Sequence, residues 1–437
     1  MRKLMIRLVV VLFCCGCHDS DDKLATNDVT GDLDLEEWKT EDVQLTMWSF
    51  YDSGWEYSIN DFRKEYPNVS IEVKEFPYDQ YEDVYFQALF NGYGPDIMVF
   101  SSAHFSNFID IGGLENLLEP PYNLASYEQS IPESLWQLGQ SFDREKMIGI
   151  PFSTSPVVTF YRPDLLEPYG YPTEPEELAE YMSDATNWLE MARTLKQDDK
   201  WMIQWITEIA ELTGRQSGLF DHNMNFLRNN DDVKESLELA KIVNREGLSP
   251  GFNLYDENGQ QALREDRFAM FYQGTWGEEQ IKGIAPEQNG LWRVTRLPLD
   301  LHVWDNGNIV AIPAASEHKE AAWAYIEHLV FEHSMYGSYG SVPAYIPART
   351  SPETLEQKSE FFGGQEVQKL YHSVMEKTVE PRLTPVDQQV EEIWHEYMIQ
   401  GVVWDMDSDD IIDKIMSRID EELNQEIAIL KDYMKED

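Results

Sequence analysis

Cysteine is nearly absent from this chain: of 437 residues only Cys14, Cys15 and Cys17 carry a thiol, and none lies beyond position 17. That excludes a disulfide scaffold and a thiolate-held zinc as sources of stability or chemistry. Basic residues are scarce too, 34 Lys and Arg against 80 Asp and Glu, for a net charge of −46. Such a surface repels nucleic acid and anionic lipid, and it reads as a solvated exterior rather than a cation site. No stretch approaches the 18 or so consecutive apolar residues that a bilayer span requires. The signatures of the commonest hydrolases are missing as well: there is no Gly-x-Ser-x-Gly elbow and no Gly-x-x-x-x-Gly-Lys phosphate loop.

The histidines offer little chemistry. His328-Leu329-Val330-Phe331-Glu332-His333 comes nearest to a metallopeptidase pattern, but residues five apart on an α-helix point about 140° apart and do not readily converge on one ion. Trp394-His395-Glu396 lacks a second His at Ile399. Both read as helix-surface histidines, and neither a metal nor a cofactor is expected. Two carboxylates spaced for glycoside hydrolysis can be neither located nor excluded among so many acids. An exported carbohydrate-active enzyme therefore stays open.

The first residues form an address. A basic start, Met1 to Arg7, leads into the apolar core Leu8 to Phe13 and the small-residue stretch Cys14-Cys15-Gly16-Cys17, the layout of a secretory signal. It resembles a bacterial lipoprotein signal, in which cleavage before Cys17 leaves that residue lipid-bearing; Cys14 stands where such signals usually carry Leu. The expectation is a signal peptide over 1–16 and an acidic, lipid-anchored tether over 17–40, with the protein held outside the cytoplasm at the bacterial cell membrane.

Beyond that leader the chain is rich in core formers: 42% of residues are hydrophobic, with 13 Trp, 22 Tyr and 20 Phe, enough for two or three domain-sized units. Val43 to Trp48 alternates like a strand. Asp52-Ser53 can cap a helix carrying Trp55, Ile59, Phe62 and Tyr66 and ended by Pro67. Val69 to Val73 alternates again, Asp79 can cap a helix closed by Asn91-Gly92, and Asp96 to Phe100 makes a third strand. Strand, helix, strand, helix, strand opens an α/β doubly wound sheet, whose ligand site lies beyond the carboxyl ends of its strands. Farther on, helical stripes run through Trp188 and Leu195, through Trp201, Trp205, Ile209 and Leu212, from Asp231-Asp232 to Gly247, through Ala321 and Leu329, and from Ser408 through Ile411, Ile415, Ile419 and Leu423. Trp276, in Gly274-Thr275-Trp276-Gly277, stands at a strand end between two glycines, where a flat ring can face a cleft as readily as a core. Trp48 is placed similarly.

Taken in order, these segments resemble the extracellular solute-binding proteins of carbohydrate ABC importers, the class that contains maltose-binding protein. Gly94-Pro95-Asp96-Ile97, Gly113-Leu114-Glu115-Asn116-Leu117, Gly149-Ile150-Pro151, Thr159-Phe160-Tyr161-Arg162-Pro163-Asp164, Arg267-Phe268-Ala269-Met270 before Gly274-Thr275-Trp276, and Ala311-Ile312-Pro313 carry the resemblance over nearly all of 41–437. Two departures stand out: an extra segment separates Thr173 from Thr186, and Arg162-Pro163 replaces the family's Asn-Lys. The resemblance implies a type II periplasmic-binding-protein-like clamshell with one lobe from 41–150 and 311–343 and the other from 151–310 and 344–437. It implies ligand contacts at Trp48, Asp52, Ser102, Ala103, His104, Ser153, Ser155 and Trp276, with Asn306 and Arg349 from loops facing the hinge. Relatives often carry charged groups at the positions of Ala103 and Ser155, which suggests a different sugar here or fewer charged contacts. The implied partners are a carbohydrate, of oligosaccharide size in that class, and the transmembrane permease of an ABC importer. A monomer without nucleic acid, touching the membrane only through its N-terminal lipid, completes the expectation. The same clamshell carrying a polyamine, peptide or cation remains an alternative.

Overall fold

The computed structural model describes residues 37–51, 54–336, 341–378 and 383–433. The signal, most of the tether, Cys17 and Asp52 lie outside the described residues. The chain builds one mixed sheet from β1 (Val43–Ser49), β2 (Val69–Glu75), β3 (Ile97–Ser101), β4 (Ile150–Tyr161), β5 (Met270–Gly274), β6 (Arg293–Thr295), β7 (Trp304–Ala311) and β8 (Val342–Pro343). The strand order is β2-β1-β3-β7-β4-β5, with β6 and β8 also on β4. Among the described strands, parallel pairing is confined to β1 with β2 and β1 with β3, and the other pairs run antiparallel. The α/β class is as expected, but the parallel winding stops after three strands because β7 enters from the opposite direction and separates β3 from β4.

Helices α1 (Trp55–Glu65) and α2 (Tyr81–Asn91) cover the parallel strands. The stop signals act as expected: α1 ends before Pro67, and Gly92 closes α2 at φ 68°, a conformation costly for any residue with a Cβ. The start signals differ. Gly54 occupies the N-cap of α1 at φ 93° and Gln80 that of α2, neither with a side-chain cap, so Asp79 does not cap.

Later helices are α3 (Ala185–Lys196), α4 (Glu208–Ser217), α5 (Asp231–Glu246), α6 (Gly277–Ile284), α7 (Lys319–Glu327), α8 (Asp387–Val403) and α9 (Ser408–Tyr433). Asn230, not Asp231, caps α5, its side chain accepting from the Val233 amide at 3.0 Å. The two aspartates instead sit in the first turn, where they favour the helix dipole. Trp201 and Trp205 precede α4: the Trp201 amide is held by the Arg267 carbonyl at 2.7 Å in a bridge beside Phe268, so backbone pairing overrides the helical spacing. The extra segment after Thr173 is a helix, Pro175–Met182, with Leu178, Ala179 and Met182 buried. Ile411, Ile415, Ile419 and Leu423 of α9 are all buried, as their spacing predicts.

Two apolar clusters form the core. In β4 and β5 they are the two faces of the sheet: Val158, Phe160 and Phe271 join the cluster that includes Leu45, Phe62 and Phe100, while Val157, Tyr161, Met270 and Tyr272 join the one built on α3, α5 and α9. The two-residue alternation of a strand thus distributes side chains between both cores.

After α7 the chain winds into a π-turn over His328–Glu332, with the His333 amide bonded to the His328 carbonyl. This corrects the reading of these histidines as helix-surface groups. A bond spanning five residues brings positions 328 and 333 one turn apart, on the same side, instead of about 140° apart. His328 is 8% exposed.

Candidate functional site

A cavity of about 1430 Å³ opens beyond the carboxyl ends of the parallel strands, bounded by the β4–β7 ladder and by the loops and helices on either side of it. Its shape begins with two irregularities in that ladder. The register slips between Pro151 and Ser153 and again between Ser155 and Pro156, because Phe152 is an extra residue on β4 and Asp305 an extra residue on β7. Bulges re-aim side chains, and both Phe152 and Asp305 line the cavity.

Asp305 organises one wall. Its Oδ2 accepts from the Trp276 indole Nε1 at 2.9 Å and its Oδ1 from Arg215 Nη1 at 2.7 Å. The half-buried Trp276 ring is thereby pinned at the start of α6, with the Tyr255 ring centroid 6.0 Å away. The turn that delivers Trp276 is fixed from below: the Thr275 amide donates to Ser155 Oγ at 3.0 Å, and the two hydroxyls lie 2.6 Å apart. Neither glycine beside the ring can take a side chain without displacing its neighbours. A Cβ on Gly274 would fall 2.3 Å from Trp276 Nε1, and one on Gly277 would fall 2.8 Å from the Phe160 ring.

The facing wall is aromatic. Tyr51 stacks on Trp55 at 5.1 Å and 23°, and Trp55 in turn meets Phe152 at 5.9 Å. Tyr78 is 45% exposed at the cavity and its hydroxyl donates to Ser101 Oγ at 3.4 Å. His104 lies against the rings of Tyr78 and Tyr81, at 4.9 and 5.3 Å, with Glu82 3.7 Å from Nδ1. Burial holds this imidazole below the ordinary histidine range, and Glu82 opposes that shift. Farther along, Arg228, only 2% exposed, makes a bidentate pair with Glu391 at 2.8 and 2.6 Å and lies over the Trp394 ring at 5.0 Å. Neighbouring Asp387 is pushed up to about 7 by burial, against hydrogen bonds from Thr384 that favour its charged form.

Of the residues singled out in the sequence, Ser102, Ala103, His104, Ser153, Ser155, Trp276 and Asn306 line this cavity together. Three of the serines already have work: Ser102 Oγ accepts from the Gly307 amide at 2.8 Å, Ser153 Oγ from Asn308 Nδ2 at 2.9 Å, and Ser155 holds the Thr275 turn. Trp48 and Arg349 are not brought to it. β1 runs one residue past Trp48, whose side chain lies on the strand face opposite Met47, against Phe76 at 5.0 Å and Tyr85 at 5.7 Å, with Lys74 5.5 Å from its ring. Arg349 sits in the short helix Ile346–Arg349, a turn beyond Pro343, which does line the cavity. There, after burial, its charge contributes to lowering the His372 pKa. Asp52 lies outside the described residues.

Tyr51 falls within the strand-end stretch 48–52 and Trp55 is marked only for a helix face, while Tyr78, Phe152, Tyr255, Arg215 and Asp305 carry no mark in the sequence. Asp305, next to the flagged Asn306, was the nearest to being found; only its strand-bulge position reveals its role. The whole arrangement offers flat apolar ring faces, fixed by hydrogen bonds at their edges, beside the amides of Asn306 and Asn308 and the guanidinium of Arg215. Such a surface can stack on rings while satisfying hydroxyl groups.

Comparison with known proteins adds an independent line. Residues 51–332 match the family described as bacterial extracellular solute-binding protein. The chain is 25% identical over 293 residues to the lactose-binding protein of Rhizobium radiobacter, a stretch covering 56% of this chain and 64% of that protein, less than two thirds of its length. It is 21% identical over 343 residues to the arabinooligosaccharide-binding protein of Bacillus subtilis (strain 168), covering 74% of this chain and 78% of that one. Its fold is similar to the galacto-N-biose/lacto-N-biose I-binding protein of the ABC transporter from Bifidobacterium longum, solved with lacto-N-biose. That match has a TM-score of 0.70 and 17% identity, covering 87% of this chain and 97% of the other. The likeness establishes the fold, the α/β architecture of type II periplasmic binding proteins.

Proposed function

The chain belongs to the bacterial extracellular solute-binding proteins, and on that footing we propose that it captures a carbohydrate, of oligosaccharide size, and delivers it to the permease of an ABC importer. The observation that carries this reading is the cavity itself. Its volume of about 1430 Å³ exceeds the roughly 300–1,000 Å³ of sites for drug-sized ligands, leaving room for more than one sugar ring. Its walls present Trp276, Tyr255 and Tyr78 as stacking surfaces, with Trp55 buried behind Tyr51 and Phe152. The names of the two characterised relatives, a lactose-binding and an arabinooligosaccharide-binding protein, support the same class.

The protein acts as a binder and breaks no bond. Two lobes, 41–150 with 311–343 and 151–310 with 344–437, close on the ligand, drawing their free energy from better contacts in the closed state. Family membership puts the chain outside the cytoplasm. Among the described residues no helix is long and apolar enough to cross a membrane, and the lipid on Cys17 is the anchor in this reading. The protein works as a monomer.

Calorimetry of the purified chain against mono- to pentasaccharides of several linkages tests the assignment. Binding is expected to rise with chain length to at least a disaccharide, and Trp276→Ala is expected to lower it by at least tenfold with little change in the thermal transition. Binding only to peptides or polyamines, or hydrolysis of the sugars in many-fold excess over protein, would overturn it.

A further inference from the structure

Away from the aromatic walls, at the edge of the cavity, Asp61 of α1 meets His328 and His333 of the π-turn. The donor atoms these three residues offer all lie within 4.8 Å of one another. Asp61 Oδ2 is 3.4 Å from His328 Nε2 and 3.6 Å from His333 Nδ1. Ligands about 2.0–2.2 Å from a tetrahedral ion stand about 3.3–3.5 Å from each other, so these two edges already have close to the required length. From these distances we propose that Asp61, His328 and His333 form a transition-metal site of the zinc class, with three protein ligands and a fourth position toward the cavity, which His333 and Leu329 line.

The surroundings fit that chemistry. His328 turns its other nitrogen, Nδ1, to Glu332 Oε2 at 2.9 Å, the carboxylate partner that fixes the tautomer and orientation of a metal-bound imidazole. Asp61 engages Lys64 through its other oxygen, Oδ1, at 2.7 Å, which leaves Oδ2 directed at the histidines. Lys64 opposes a cation here, but its side chain is 78% exposed and its charge is largely solvated. The π-turn is what makes the site: a regular α-helix over the same sequence would separate the imidazoles. The simpler reading is two histidines resting against a carboxylate, and it predicts no affinity for metal. Because α1 opens at the cavity with Trp55 and Tyr57, a bound ion would brace the far half of that helix against the 328–333 turn.

The test uses the chain stripped with chelator and free of any histidine tag, titrated with cobalt(II) and followed by its visible absorption, then with zinc(II) by calorimetry. One equivalent is expected, with the strong absorption of a tetrahedral centre. His328→Ala and His333→Gln are each expected to weaken binding more than about 100-fold, beyond the 10- to 100-fold typical of an outer partner, and Glu332→Gln about tenfold. Lys64→Ala is expected to tighten it severalfold, and His395→Ala, distant from the site, to leave it unchanged. Far-ultraviolet circular dichroism checks that each variant is folded. No stoichiometric binding by the wild type, binding that survives both histidine substitutions, or weaker binding in Lys64→Ala would overturn the site.

Discussion

Gly274→Ala is the sharpest probe of how this cavity is built, because it adds one methyl group outside the ligand's reach. The added Cβ would lie 2.3 Å from Trp276 Nε1, 2.8 Å from its Cδ1 and 2.5 Å from Asp305 Oδ2. Ordinary contact requires about 3.5 Å between such atoms, so the indole or the carboxylate must retreat by about 1 Å. A hydrogen bond of 2.9 Å does not survive that displacement. Losing one bond to a charged group costs about 1.5–3 kcal/mol, and overfilling a packed site about 1–3 kcal/mol. The first cost falls on the position of the ring, and at 1.4 kcal/mol per decade it corresponds to a 10- to 100-fold loss of sugar affinity. The second should lower stability modestly. Calorimetry with the best saccharide and a urea titration separate the two. The double variant Gly274→Ala/Trp276→Ala supplies the internal control: if Gly274 matters only by admitting the indole, the pair loses no more affinity than Trp276→Ala alone. Sugar affinity within twofold of wild type in Gly274→Ala would refute the reasoning.

Other consequences follow from buried charge. Glu208 is 1% exposed, accepts from Gln204 at 2.7 and 2.9 Å, and is pushed up to about 8 by burial. The fold therefore holds a proton that the unfolded chain releases above pH 4–5, so this group's contribution to stability is fully present below about pH 4.5 and is lost as pH rises through 8, by up to about 5 kcal/mol. Urea midpoints at pH 5 and pH 8 should differ less in Glu208→Gln than in wild type; equal differences would reject the shift. Arg228→Ala leaves the half-exposed Glu391 without its bidentate partner and Gly214 without its donor, and should destabilise by about 1.5–3 kcal/mol, with Arg228→Lys recovering only part because the fork is lost. Full stability of Arg228→Ala in urea would contradict that. Cys17→Ser should move the protein from the membrane fraction to the medium with its sugar affinity intact, and retention at the membrane would remove the lipid anchor.

Much of the fold was legible because it rests on short-range rules. Two-residue alternation marked Val43 to Trp48 and Val69 to Val73, four-residue spacing marked Ile411 to Leu423, and Pro67, Gly92 and Gly247 ended their helices as such residues do. Caps were less legible, since Asn230 and Asp231 are equally able by type and only the backbone decides between them. The site was half legible. Trp276 stood out by its flanking glycines, and close contact explains both. Trp48 misled because its strand continues one residue farther than its alternation suggests, carrying the ring under α2 while Tyr51 and Trp55 take the cavity. Asp305 and Arg215 are 90 positions apart, and no local pattern announces their ion pair. The Asp61–His328–His333 cluster was hidden for a different reason: its geometry depends on a π-turn, which sequence periodicity does not signal.

The two ladder irregularities under the cavity have an arithmetic of their own. One extra residue sits on β4 and one on β7, so the strands leave their second slip in the same frame in which they entered the first: Pro151 faces Ile309 and Pro156 faces Trp304 on one common count, while the pairs of Ser153, Thr154 and Ser155 between them run one off. They behave like a pair of compensating frameshifts in a gene. Deleting Phe152 alone, or Asp305 alone, would leave every pair on one side misread and turn its side chains to the wrong face of the sheet. Deleting both would restore the frame and yield a straight ladder with an intact core and no floor for a ligand. The floor of the cavity is thus a short insertion that the sheet can spell in or out without rewriting the rest.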